Sequence, residues 1–471
     1  MPKLKTDYLI IGSGAMGMAF ADTLITETDS DIIIVDRYAK PGGHWNHAYP
    51  FVTLHQPSQF YGVSSKELSQ GRIDQVGLNK GMFDLASGAE VSAYYDDVMQ
   101  HTFLTSGRVR YFPLCDYTGD HSFTSLITGE TYQVDVKDKL VDATYLKTNV
   151  PSLHTPSFKV APDVNFMPLN DLPSIATAPE GFVVIGGGKT GVDACLWLLE
   201  QKVHPEKITW VISRDAWMLD RQNSQPTLAF FEYSLGTIAR QFEAIASSTS
   251  VEDMFDKLEE AGMFVRLDKA HRPSMFHGAT VSQLELAELR KIQNVIRFGR
   301  VQEILDDTII LDKGSIPTSK NHVHVDCSAS AITNLNTKPI FEEGLITPQT
   351  VRAYQPVFSA SVAAYIEANY TTDKEKNNLC QVVPLPNHDT DWIPMTATQM
   401  VNQITWAQDK HLRKWIRGNR LDGFSSMISQ IEKSDTAKLD ILTRIKNGGL
   451  PAMMKLREYM AQLQSTHNQT T

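Results

Sequence analysis

Two glycine-rich stretches carry residue types at a spacing that can do chemistry. The first reads Gly12-Ser13-Gly14-Ala15-Met16-Gly17, a GxGxxG turn directly after the short β-type run Tyr8 to Ile11. Gly12 permits the tight turn, Gly14 lets a pyrophosphate approach the backbone, and Gly17 allows close helix–strand packing. Ala15 and Met16 open the next helix, whose unpaired N–H groups and positive dipole end suit phosphate oxygens. A second strand, Ile32 to Val35, ends on Asp36, about twenty residues past the last glycine, with Arg37 beside it. A carboxylate there accepts hydrogen bonds from ribose hydroxyls and repels a 2′-phosphate, so the site reads as one for FAD or NAD rather than NADP.

The pattern then repeats. Gly181 to Ile185 is a strand, Gly186-Gly187-Gly188-Lys189-Thr190-Gly191 a second turn, and Ile208 to Ile212 a second strand ending in Ser213-Arg214. No acid stands at the ribose position here, and an arginine pairs bidentately with a 2′-phosphate. The expected coenzyme is therefore NADP(H), held by Gly186, Gly188, Lys189, Thr190, Gly191, Ser213 and Arg214, with Arg221 as a further cation. Although GGGKTG suggests a P-loop, a Walker A motif needs four residues between its first glycine and the Gly-Lys pair, and they are missing.

After Asp36 comes Pro41-Gly42-Gly43-His44-Trp45-Asn46-His47-Ala48-Tyr49-Pro50, which a plain NAD site does not need. With it the chain resembles the two-dinucleotide flavoproteins, and among them the NADPH-dependent flavin monooxygenases, which carry GGxW and then Tyr-Pro after the ribose-binding acid. The resemblance implies FAD as the first cofactor, with Gly43, His44 and Trp45 passing beside it and Asn46 to Gln56, including His55, near the isoalloxazine ring. It also implies NADPH as hydride donor, and O2 adding to the reduced flavin as a C4a-hydroperoxide that oxygenates a soft nitrogen or sulfur atom or a ketone. Asn46, His47 and Gln56 are the expected catalytic residues, since amides and a histidine N–H donate hydrogen bonds without a fixed charge. One departure stands out. The F-x-G-x-x-x-H signature usual between the domains is absent, and Phe276-His277-Gly278-Ala279 lacks the later histidine. A flavoprotein reductase or dehydrogenase that does not oxygenate is the alternative.

These motifs need particular elements around them. The expected fold is α/β, with two Rossmann-like three-layer domains, one for FAD and one for NADP, plus a helical C-terminal region. Residues 1–170 are read as the first part of the FAD domain, with a β-meander from Val109 to Leu140 and a proline-punctuated linker from Pro151 to Pro173. Residues 171–334 are read as the NADP domain with a helical insertion at about 215–263, residues 335–395 as the returning FAD segment, and 396–471 as helical. In relatives the helix opening at Gln355-Pro356 faces the flavin, where its dipole stabilises negative charge. Lys410, Arg413, Lys414 and Arg417 read as a solvated helix face.

Composition narrows the class. With 471 residues, 42% hydrophobic and 21% charged, the chain is long enough for several packed cores. A formal net charge of −10 gives no general attraction to nucleic acid, so any phosphate site must be local. Four scattered cysteines make no CxxC or metal spacing, which points to a reducing compartment and away from a redox disulfide. His44, His47, His55 and His154 have no carboxylate or cysteine at ligand spacing, and no metal is expected. No membrane span or cleaved signal is expected, and the cytoplasm is the expected location, with a small organic molecule and O2 as partners.

Overall fold

The computed structural model describes residues 2–146, 148–330 and 336–470, with backbone alone at 466–470. The boundary expected at 334/335 lies outside the described residues.

The first sheet is built on β1 (Lys3–Ile11), which leads through the glycine turn into α1 (Ala15–Glu27) and on to β2 (Ile32–Val35). Helix α2 (Gly88–Val98) starts at a capping box between Ser87 and Glu90. Strands β3 (Val109–Phe112), β4 (Cys115–Gly119), β5 (Ser122–Ser125) and β6 (Thr131–Asp142) follow. In space β6, β1, β2 and β3 lie side by side and parallel, with Ile11 opposite both Val35 and Asp142. The central strand Ile32–Val35 is an unbroken apolar run because both of its faces are covered, whereas β6 is polar over much of its length. Ile10, Ile32 and Ile34 face the helices, while Leu9, Ile33 and Val35 pack on Phe123 and Val134 of the β4–β6 meander.

The second sheet has the same plan. Its strands, all parallel, run in the order β7 (Phe166–Pro168), β14, β8, β9, β13. Strand β8 (Gly181–Ile185) turns into α3 (Lys189–Glu200), and β9 (Ile208–Val211) follows. Ile185 lies opposite Val211 and, on its other side, Asp326. Phe182 and Val184 face α3, while Val183 and Ile185 pack on a small antiparallel layer containing Ile304, Ile309 and Leu311.

Two expectations change. The stretch from Pro151 to Pro173 is not only linker, since Lys159–Val160 and β7 each join a sheet. Pro168 is tolerated because β7 is an edge strand, where a missing N–H breaks no ladder. The segment at 215–263 does not begin as helix. Ala216–Asp220 is a strand, β10, in a three-stranded sheet with β11 (Phe264–Val265) and β12 (Met275–Val281), and helix forms only in α4 (Phe231–Ser247) and α5 (Val251–Glu260). Strands β13 (Val295–Ile296) and β14 (His322–Asp326) complete the second sheet, and β15 (Leu345–Ile346) returns to the first beside β6.

Helix α6 (Pro356–Asn369) then runs buried against α1, apolar on all sides as a core helix must be. Helices α7 (Trp392–Gln408), α8 (Lys410–Gly418) and α9 (Thr436–Thr470) close the chain, with α9 lying against α4 and α7. No described helix is long and apolar enough to cross a membrane.

Candidate functional site

At the first turn, backbone packing dictates the glycines. A Cβ on Gly17 would sit 2.0 Å from the Gly12 carbonyl oxygen, and one on Gly43 2.9 Å from the Gly14 Cα. The Gly42–Gly43 segment thus lies across the turn, tied there by the Gly42 N–H donating to the Ser13 carbonyl at 2.9 Å. Helix α1 begins at Ala15 and Met16 with no side-chain cap and no acid in its first turn. Its leading N–H groups therefore meet no acid in the helix's own first turn, an arrangement that suits an anion. Asp36 is buried and accepts from the Ser13 N–H (2.6 Å), the Ser13 hydroxyl (2.7 Å) and the Tyr38 N–H (2.8 Å). Of roughly four acceptor positions on a carboxylate, about one is left for a ribose hydroxyl. Arg37 is largely exposed, with only a loose pair to Asp116 at 3.4 Å.

The segment after Gly43 forms a short 3-10 turn, Gly43–His47. Burial pushes the His44 imidazole down to about 4. The Trp45 indole N–H donates to the Tyr61 hydroxyl at 2.6 Å. The Asn46 Nδ2 is taken up by its own loop, donating to the carbonyls of Lys40 (3.3 Å), Pro41 (3.0 Å) and Gly43 (3.2 Å). The His47 ring packs on Tyr38, and its Nε2 is buried without a partner. For His55, burial and then Lys189 and Arg221 hold the ring far below the ordinary histidine value, so it is neutral. Of the three expected catalytic residues, Gln56 is the one that lines a cavity.

That space is a cavity of about 490 Å³. Gln56, Tyr354 and Gln355 line it at the N-terminus of α6, and Leu235, Ile238 and Phe242 of α4 line another wall. Helices α7 and α8 and the start of α9 complete it. Tyr354 has φ 61°, a left-handed conformation unusual for a residue with a side chain. It turns the chain into Gln355 and the helix. Arg352, also in the wall, is buried, pairs with Asp422 at 2.8 Å and donates to Gln355 Oε1 at 3.2 Å. Sequence reasoning missed this cavity. Its one local signal was Gln355-Pro356, since proline favours the first turn of a helix.

The second turn repeats the close approach: a Cβ on Gly191 would meet the Gly186 carbonyl oxygen at 2.1 Å. It lacks the cover, for a Cβ on Gly188 would meet nothing within 4 Å, and α3 has no side-chain cap and no acid in its first turn. Lys189 bends back to pair with Asp193, which also accepts from the Tyr49 hydroxyl at 2.5 Å. Thr190 follows it in the first turn of α3, and Ser213 is exposed. Arg214 donates to Asn387 Oδ1 at 2.8 Å and forms no ion pair among the described residues. Burial and then the nearby Arg300 lower its value, against the opposing pull of Asp389 and Asp391. Arg221 is not available to a coenzyme. It is 1% exposed and held by Glu285 at 2.8 and 3.0 Å and by the His55 carbonyl at 3.0 Å. Among the described residues no three His, Cys, Asp or Glu side chains converge as a metal site does, and all four cysteines are free and buried.

Two sheets with parallel centres, each turning from a central strand through glycines into an uncapped helix, make a doubled Rossmann-like α/β fold. The chain belongs to the same family as an uncharacterized protein of Mycobacterium tuberculosis (strain H37Rv), with which it is 44% identical over 425 residues, 90% of this chain and 79% of the relative. A Mycobacterium bovis protein, also described as uncharacterized, matches with the same figures. No family model matches the chain. Among solved structures, similar ones include a cyclohexanone-bound cyclohexanone monooxygenase (TM-score 0.47, 13% identity, 78% of this chain and 86% of that one). A flavin-containing monooxygenase from Stenotrophomonas maltophilia (0.42, 14%, 78% and 97%) and the bacillithiol disulfide reductase of Staphylococcus aureus (0.43, 14%, 78% and 98%) are others.

Proposed function

We propose that the protein is an FAD-dependent oxidoreductase that uses NADPH, and that it acts as a monooxygenase on a small organic molecule. The observation that carries this reading is the duplicated turn: two uncapped helix N-termini, each behind a glycine whose Cβ would strike backbone. The residues present fit the cofactors. At the first turn the N–H groups of Ala15 and Met16 and the buried orphan His47 Nε2 offer donors to FAD. At the second, the bare Gly188 and Arg214, which has no ion pair among the described residues, suit the pyrophosphate and 2′-phosphate of NADPH.

When bound, FAD would accept a hydride from NADPH and supply the oxygen-activating chemistry. The chain's own part is to position and to exclude water. Asp36 holds the turn through Ser13, and α6 directs its positive end towards the cavity. Gln56 presents an amide at the cavity wall, where it can donate a hydrogen bond without adding charge. His44 and His55 stay neutral at physiological pH and so add no cation beside the ring.

The test is to purify the protein, identify bound flavin, and follow substrate-dependent NADPH oxidation under isotopically labelled O2. Label in the product supports oxygenation. NADPH oxidation with reduced product and no label identifies the reductase alternative instead. Gln56→Ala should retain FAD and consume NADPH while diverting oxygen to hydrogen peroxide; full coupling in this variant would make Gln56 wall only.

A further inference from the structure

The cavity has a chemical polarity of its own. Its interior side chains include Leu219, Leu235, Ile238, Phe242, Leu442 and Ile445, an apolar body. The inner cation, Arg352, is neutralised by Asp422, and Asp220 already accepts from the Gln222 N–H (3.0 Å) and Gln283 Nε2 (2.7 Å). The Asp220 carboxylate has no cation partner among the described residues, and two cations at the rim outnumber it. Arg413 and Arg417 both line the cavity, both are exposed, and neither forms an ion pair among the described residues.

They stand one turn apart on α8, so they share a face. The helix itself is firmly docked. Leu412 and Ile416 are buried, the Trp415 indole N–H donates to Glu27 at 2.8 Å, and the Trp415 ring stacks on Tyr365 at 4.3 Å. Arg413 is braced by donating to the Ala407 carbonyl at 2.7 Å. In a chain of net charge −10, two guanidinium groups without ion pairs among the described residues, set over a largely apolar cavity, are not a plain solvated face.

We infer that this cavity takes amphipathic organic anions, with the carboxylate or equivalent group at Arg413 and Arg417 and the apolar body reaching in towards Gln56 and Tyr354. A planar guanidinium pair matches a carboxylate bidentately, and a cavity of this size admits a ligand of drug-like dimensions. The inference rests on the proposed oxidoreductase reading for what happens to the bound molecule, but not for the binding itself.

Isothermal titration calorimetry of the whole protein with octanoate, octanol and octylamine tests it. Octanoate should bind about tenfold or more tighter than octanol, and octylamine weakest. The preference should shrink as salt is raised from roughly 0.01 M to 1 M, where the Debye length falls from about 30 Å to about 3 Å. The double variant Arg413→Ala, Arg417→Ala should bring octanoate to the octanol level and leave octanol unchanged. Lys410→Ala with Lys414→Ala, off the cavity on the same helix, should change neither. Equal binding of octanoate and octanol, or equal loss in the lysine and arginine pairs, overturns the inference. Octanoate preference in a protein that never oxidises NADPH would keep it and remove the oxidoreductase reading. Labelled turnover without that preference would do the reverse.

Discussion

The two glycine turns share one constraint and differ in nearly everything else. In both, the last glycine lies against the carbonyl of the first, at 2.0 Å and 2.1 Å for the missing Cβ. The first turn is roofed by Gly43 and ends on a buried acid tied to Ser13. The second is open above Gly188 and ends on an arginine that has Arg300 on one side and Asp389 and Asp391 on the other. Close packing sets the backbone of each turn, and in the proposed function cover and the residue after the second strand set which nucleotide each turn holds. A roofed turn suits a resident cofactor and an open one a coenzyme that must leave each cycle.

The largest effect should come from breaking what they share. Gly17→Ala should cost about 3 kcal/mol of stability through backbone overlap and leave the purified protein colourless. Gly191→Ala should keep the flavin absorbance and lose saturation by NADPH. If both variants lose flavin alike, the turns are not independent sites.

A smaller effect belongs to the strand ends. Arg214→Ala should weaken NADPH by about 1.5–3 kcal/mol in steady-state KM or direct titration and leave NADH nearly unchanged. Equal loss for both coenzymes would remove Arg214 from 2′-phosphate recognition.

The cover of the first turn carries a pH signature. The folded protein holds His44 at about 4, below the unfolded value of about 6.5, so it binds fewer protons than the unfolded chain between these limits. The resulting stability is complete above about pH 6.5 and is lost as pH falls towards 4. Denaturant midpoints across that window should show a change worth about 3 kcal/mol that His44→Gln abolishes. Smallest of all, Arg37→Ala should change stability and flavin retention by less than about 0.5 kcal/mol, because its pair with Asp116 is exposed.

Local patterns were legible where one short segment does the whole job. Glycines, strand ends and the ribose-end residues can be read because each turn is made by its own few neighbours. Long-range geometry was not. Ala216–Asp220 is five residues long, and its strand partner lies beyond two helices, at Met275–Val281. Arg221 looked available because burial against Glu285, more than sixty positions away, leaves no local mark. Asn46 was legible as a donor, but its acceptors are backbone carbonyls that any residue supplies. The cavity joins Gln56 to residues beyond 350, and no periodicity announces such a meeting.

The segment from Trp45 to Val52 belongs to the first unit by sequence and to the second by packing. Tyr49 and Val52 are buried in the core that contains Val184 and Val192, Phe51 stacks on Trp197 at 4.9 Å, and Tyr49 bonds Asp193. The second nucleotide lobe is therefore not a self-sufficient module. A fragment cut at 171–334 would bare the Trp197 face to water, and grafting that lobe onto a foreign partner would require transplanting eight residues from a distant part of the chain along with it.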